Sequence, residues 1–265
     1  MRPYQEDIFT QSTQIERYQK AQVRTTMDQI YDSERVTLQK ILPHVKTVTD
    51  VGCLFGDLYS AMREDYDISY RGLDIDEEAI VIAGKRYPDA NFYSCDILNN
   101  CPNIPKSDLV ISFNLFDHYE DWKKVLRAYR MLSNRYINFS THMRLSGSTV
   151  LDKDLSYMYY NGKDRLLWAA HNIWELTAYC ATEEIAATSI YVYCYNKFRK
   201  GVDNNFHIAK KSMMPMDPNK ILVGNIIIEH DEENSMKEKK KRPDLKILVN
   251  GEVILDSPWK PVVPE

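Results

Sequence analysis

The sequence predicts an α/β protein built on a doubly wound, mostly parallel sheet. Three observations carry that prediction. Short β-branched or apolar runs alternate with helical patterns between residues 47 and 140. Residues 47–57, Thr-Val-Thr-Asp-Val-Gly-Cys-Leu-Phe-Gly-Asp, read as a strand, a tight turn at Gly52 and Gly56, and the start of a helix. Three successive strands end at an acid, Asp50, Asp74 and Asp96, where sheets of this kind bind ligands.

The elements follow in order. Residues 1–32 are polar, with Ile15, Tyr18, Val23, Met27, Ile30 and Tyr31 in an imperfect helical stripe over the ligand end of the sheet. Ser33 is expected to cap a helix running to Leu42, which Pro43 ends. A strand enters at Thr47, a helix covers 58–63, and a second strand covers 70–73. Ala79, Ile80, Ile82 and Ala83 give the helix over 77–86 its buried side, and Pro88 stops it. Residues 91–95 form a third strand and 99–106 a loop. The wholly apolar run 109–113 suits a strand buried on both faces. Trp122, Val125, Leu126, Tyr129 and Leu132 mark a helix. Asn134 marks a turn and 136–140 a fifth strand.

Beyond residue 140 the pattern loosens. Residues 141–163, with Tyr157, Tyr159 and Tyr160, are long for a connection and stand where a substrate lid would sit. A helix is expected over 164–179. The runs 189–195 and 221–229 are strands, separated by a polar excursion over 196–219. The charge run 231–242 reads as a flexible linker. Residues 246–255 form a hairpin around Asn250-Gly251, which suits a type I′ turn. A lone hairpin is marginal in water, so this one should dock on the main domain or on a second subunit as a homodimer contact. The expected divisions are an N-terminal helical cap (1–45), a ligand-binding domain (46–230) and a charged linker with a hairpin appendage (231–265).

With 265 residues, 44% hydrophobic and 27% charged, the chain suits one large domain or one with a small appendage. It has no run of eighteen apolar residues, and its first residues lack the apolar core of a signal peptide. Its five cysteines, Cys53, Cys95, Cys101, Cys180 and Cys194, show no metal spacing and are expected to be reduced thiols in a cytoplasmic protein. A net charge of −4 disfavours a broad nucleic-acid footprint.

Residues 50–56, Asp-Val-Gly-Cys-Leu-Phe-Gly, resemble the first motif of class I S-adenosylmethionine-dependent methyltransferases. Residues 72–76, 94–98 and 107–114 resemble the second, third and fourth, in the right order. The resemblance implies a seven-stranded sheet with an antiparallel last strand, the runs 189–195 and 221–229 being its sixth and seventh strands. It implies S-adenosylmethionine as cofactor. Asp50 and Gly52, with Cys53 and Gly56 of the same turn, belong near its amino-acid end. Asp74 takes the ribose hydroxyls, Asp96 accepts from the adenine amine, and Ile75 and Ile97 lie against the ring. Asn114 lines the pocket through its carbonyl or side chain. Tyr18 and Arg24 are candidates to close over the methionine part. The residues speak to the ligand as well: Leu54 and Phe55 stand where a dinucleotide fingerprint has its middle glycine, which argues against a pyrophosphate.

The reacting end falls at residues 113–119, Phe-Asn-Leu-Phe-Asp-His-Tyr. His118 is a candidate general base, since an imidazole suits proton transfer near neutral pH. Asp117 is a candidate to orient it or to bind substrate, and His142 is the rival base on the same rim. No compact carboxylate–histidine cluster suggests a metal. The Pro-Pro-Tyr motif for exocyclic base amines and the Pro-Cys signature of cytosine C5 transfer are both absent. The expected acceptor is therefore a small molecule, methylated on O or N. The tyrosines at 157–160 would suit a sugar or glycan-linked substrate. The alternatives are an RNA or protein methyltransferase using Lys210, Lys211 and the lysine-rich tail, or a non-catalytic cofactor-binding subunit.

Overall fold

A computed structural model describes residues 25–99, 103–160, 164–195, 206–208, 221–230 and 243–258. Tyr18, Arg24, Cys101, Lys210, Lys211 and the charge run lie outside them. Helix α1 (Asp32–Ile41) precedes strand β1 (Thr47–Val51), helix α2 (Asp57–Met62) and β2 (Ser69–Asp74). Helix α3 (Glu77–Arg86), β3 (Asn91–Ser94), β4 (Ser107–Ser112), helix α4 (Trp122–Leu132) and β5 (Ser133–Arg144) follow. β1 pairs in parallel with β2 and β4, β2 with β3, and β4 with β5. Farther along lie β9 (Ala187–Tyr195) and β11 (Ile221–His230), and β11 runs antiparallel between β5 and β9. The order β3-β2-β1-β4-β5-β11-β9 is the doubly wound sheet with an antiparallel last strand that the resemblance implies.

Alternation along each strand builds two cores, one on each face. On β4, Leu109 and Ile111 join a cluster with Leu38 and Ile41 of α1 and Met62 of α2. Val110 between them joins the opposite cluster, with Val125, Leu126 and Tyr129 of α4. β11 does the same, Ile226 and Ile228 to the second cluster and Ile227 to the first. Helices α3 and α4 start on polar caps: Asp76 accepts from the amides of Glu78 and Ala79, and Asp121 from that of Lys124.

Several expectations are corrected. Helix α1 starts at Asp32, so Ser33 lies buried inside it and is not its cap. α4 passes directly into β5 at Ser133, with no turn at Asn134, and β5 extends to Arg144 rather than Ser140. The polar residues that obscured this strand are all bonded. Asn138 donates to Thr37, Ser140 Oγ accepts from the Asn114 amide, and His142 meets Asp117. Residues 141–144 are thus sheet, and the expected lid segment begins after them. It holds β6 (Ser156–Tyr160), paired antiparallel with β7 (Asp164–Leu167) and with β10 (Phe206–Ile208). The helix expected over 164–179 is instead β7, then β8 (Ala170–Asn172), then a short helix α5 (Ile173–Cys180). Leu166 through Ala170 are all buried in succession, which no amphipathic helix allows, and Asn172 caps α5 by accepting from Trp174 and Glu175. Cys95 is disulfide-bonded, which corrects the reading of all five cysteines as thiols; Cys53, Cys180 and Cys194 are free and buried.

The C-terminal hairpin docks on its own chain. β12 (Asp244–Val249) pairs in parallel with β9 and antiparallel with β13 (Glu252–Pro258), which makes β13 the edge of the main sheet. Asn250 and Gly251 both have positive φ, 52° and 83°, as a type I′ turn requires. No helix among the described residues is long and apolar enough to cross a membrane.

Candidate active site

The turn after β1 is held from β2. The amides of Gly52 and Cys53 donate to the Leu73 carbonyl at 2.8 and 3.1 Å. Gly52 and Gly56 take positive φ, and so does Leu54 at 47°, although its side chain disfavours that conformation. The Leu54 amide then donates to Asp74 Oδ2 at 2.9 Å, while the Asp76 amide donates to Oδ1 at 3.0 Å. Asp74 is thus fixed by two backbone donors, each oxygen keeping a lone pair for a ligand hydroxyl. Burial pushes its carboxyl above the usual range, against those two amides. Cys53 is buried beside Asp74 and Asp50, and burial pushes its thiol far up, so it stays neutral and unreactive.

Asp50 is buried and accepts from the Tyr70 hydroxyl at 2.6 Å. Burial lifts its pKa to about 7, with Asp74 and Glu34 adding like charge. Glu34 was not singled out in the sequence. It belongs to the buried face of α1 with Thr37, Leu38 and Ile41, and a carboxylate in an apolar stripe is the signal that could have found it. Its carboxylate accepts from the Tyr31 amide and from Asn114 Nδ2 at 3.2 Å. Asn114 has φ 57° and turns its side chain to Glu34. Asp96 is half-buried and closes the turn after β3, accepting from the Leu98 amide at 2.9 Å and from Asn99 Nδ2 at 2.6 Å. Ile75 and Ile97 are half-buried beyond the ends of β2 and β3.

The second part of the site arises where β5 outruns β4. Pairing between them ends at Ser112 with Phe139, and β8 takes up the same side of β5 only at His142. The segment after β4 fills the gap. The Asn114 amide donates to Ser140 Oγ, and Asp117 receives the Thr141 hydroxyl and the His142 amide, the latter at 3.1 Å from each oxygen. His142 Nδ1 meets Asp117 Oδ2 in a short hydrogen bond. Burial would raise Asp117, but the His142 imidazole, its hydrogen bond, His171 and Thr141 together hold it below the usual carboxylate range. A carboxylate on Nδ1 places the ring proton there and leaves Nε2 as the basic position. His118 is oriented differently: its Nδ1 lies 2.7 Å from the Leu167 carbonyl, and burial lowers its pKa. Of the three residues expected at the reacting end, the fold joins Asp117 and His142. His171 of β8 lies 3.8 Å from Asp117 and was not foreseen; a histidine inside the apolar run 166–173 was its only signal.

One segment links both parts. Leu115 lies against Gly52, where an added Cβ would come within 2.9 Å of its Cδ2, and two residues on, Asp117 holds His142.

Residues 49–134 match the family described as "Methyltransferase domain". No curated protein matches the chain. Among solved structures, the N-terminal domain of EvdMO1 in the presence of SAH and D-fucose is 14% identical with a TM-score of 0.51, covering 80% of this chain and 84% of that one. The magnesium protoporphyrin IX methyltransferase of Synechocystis PCC 6803 with bound SAH is 15% identical with a TM-score of 0.50, covering 85% and 97%. The O-methyltransferase of the Brevibacillus brevis trans-AT PKS multienzyme is 13% identical with a TM-score of 0.47; the match covers 59% of this chain and spans 52% of that one. The likenesses to EvdMO1 and to the magnesium protoporphyrin IX methyltransferase show a shared fold.

Proposed function

We propose that this chain, which carries an S-adenosylmethionine-dependent methyltransferase domain of the Rossmann-like class I fold, methylates an oxygen or nitrogen of a small molecule, with His142 as general base and Asp117 as its orienting carboxylate. The observation that carries this reading is the Asp117–His142 pair, set on the segment whose Leu115 covers Gly52.

The residues at the strand ends fit the cofactor. Asp74 and Glu34 add like charge that pushes the Asp50 carboxyl up, so the turn is acidic, which suits a ligand bearing a sulfonium and an ammonium and opposes a pyrophosphate. Asp74, fixed by the amides of Leu54 and Asp76, would hold the ribose hydroxyls. Gly52, Cys53 and Gly56 would shape the turn beneath, Asp96 would face the adenine amine between Ile75 and Ile97, and Asn114 would act through Glu34. When bound, the cofactor supplies a methyl group made electrophilic by its sulfonium.

The protein's part is orientation and a proton. His142 Nε2 takes the proton from the acceptor's hydroxyl or amine, and Asp117 stabilises the resulting imidazolium through Nδ1. The finer reading, a sugar or glycan-linked acceptor, rests on the aromatic strand β6 beside the site, where the Arg165 guanidinium lies 4.4 Å over the Tyr157 ring.

The test begins with calorimetric titration of S-adenosylhomocysteine, with NAD as control, followed by a screen of nucleotide sugars and other small acceptors. Binding of the first ligand alone is expected. His142→Ala and Asp117→Asn should then keep cofactor affinity and lose transfer by roughly 10²–10⁴-fold. Full activity in His142→Ala would remove the base assignment, and binding of NAD alone would overturn the cofactor.

A further inference from the structure

Residues 167–171 wrap the Asp117–His142 pair from the β7 side. The Leu167 carbonyl meets His118 Nδ1, and the Trp168 ring stands edge-on to His142 at 4.2 Å between centroids. The Ala169 amide donates to the Asp117 carbonyl at 2.8 Å. His171 completes the wrap. It is 0% exposed and lies between the rings of Phe116 and Trp122, at 4.9 and 5.6 Å. Neither of its ring nitrogens has a hydrogen-bond partner among the described residues, and Asp117 Oδ1 stands 3.8 Å from Nε2.

A buried imidazole with both nitrogens unmet is destabilising, and a phenylalanine would fill the same aromatic slot without that penalty. Burial also pushes the His171 pKa down to about 4, so the ring is neutral near pH 7 and carries one N–H.

We propose that His171 is a positioning residue for the base: protonated on Nε2, it donates to Asp117 Oδ1 in the working site and so sets how strongly Asp117 pulls on His142. The inference rests on the reading of His142 as the base. Closing the 3.8 Å separation to a hydrogen bond needs a shift of roughly one ångström. Asp117 already receives Thr141 Oγ1, the His142 amide and His142 Nδ1. One more donor on Oδ1 draws charge away from Oδ2 and so leaves the His142 imidazolium less stabilised. The other titratable groups around the pair are His118 on the post-β4 segment, Glu175 of α5, which acts on His171, and Tyr129 of α4, which feels Asp117.

The test is an NMR titration of ¹⁵N-histidine-labelled protein, which needs neither cofactor nor acceptor. In the wild type, His171 should remain neutral near pH 7 with its proton on Nε2. His171→Phe keeps the ring packing and should raise the His142 pKa by about half a pH unit or more. His171→Asn offers an amide donor and should leave it near the wild-type value. The acid limb of kcat/KM against pH should move in the same order. A proton on Nδ1 of His171 would overturn the proposal. So would an unchanged His142 pKa in folded His171→Phe, or equal shifts in both variants, which mark packing alone. If His171→Phe does not fold, the wild-type tautomer and His171→Asn decide. Titration of the same samples with S-adenosylhomocysteine separates the two readings: absence of binding defeats the cofactor assignment, whereas the histidine shifts judge His171 alone.

Discussion

Under the proposed function, Asp50 would tie cofactor binding to pH. Its pKa in the fold is lifted to about 7 from 3.8, by burial first and by Asp74 and Glu34 next. The folded state therefore holds this proton more tightly than the unfolded chain. Its contribution to stability is fully present below pH 3.8 and is lost as the pH rises through about 7. A cationic ligand at the turn acts in the opposite sense, because it favours the ionised carboxylate and expels the proton. S-adenosylmethionine should accordingly bind more tightly at about pH 8 than at about pH 6. Calorimetry in buffers of different ionisation enthalpy should register proton release, and Asp50→Asn should abolish it. Affinity independent of pH would detach Asp50 from the cofactor. The neighbouring Leu54 carries a related lesson. The sequence lacks a glycine there, yet the backbone keeps a positive φ because the Leu54 amide has Asp74 to donate to.

Among the elements, the hairpin and β8 had the least predictable placement. The pattern of 246–255 identified a hairpin and its turn, but two docking partners were open to it. β9 decided the matter by offering an unpaired edge, and β12 buries Leu245 and Ile247 against the α4–α5 core. Ile247→Ala should therefore destabilise the whole protein by about 2–5 kcal/mol, measured by urea unfolding. A hairpin that were only an appendage would leave the unfolding midpoint unchanged. β8 has a different cause. Residues 170–172 lie in the stretch 164–179, which Leu167, Ala170, Trp174 and Ala178 suggested was one helix, but the open side of β5 beyond Ser112 needed backbone partners, and Val150 and Ala170 exchange hydrogen bonds there as well.

At the scale of the molecule, both cores grip the same sheet, and the candidate site lies at the carboxyl ends of its strands. Binding there should stabilise the protein as one unit. S-adenosylhomocysteine at about a hundred times its Kd contributes about 2.7 kcal/mol, which for a chain of this size raises Tm by roughly 5–10 °C in a single transition. Two separated transitions, only one of them moved by ligand, would show that the cores unfold independently.

By itself the sequence determined what rests on local pattern: the alternation of strand and helix to residue 140, the turn at Gly52 and Gly56, the acids Asp50, Asp74 and Asp96 at strand ends, and the type I′ turn. Each follows from residues close together in the chain, where periodicity and turn chemistry act directly. Only the tertiary structure decided that His142 rather than His118 meets Asp117, that Glu34 and His171 stand beside the site, and that β5 runs on to Arg144. Those outcomes depend on groups brought together across the chain, 25 residues apart for Asp117 and His142 and 80 for Glu34 and Asn114. A polar side chain in a strand or an apolar run is legible as functional only when its partner is known.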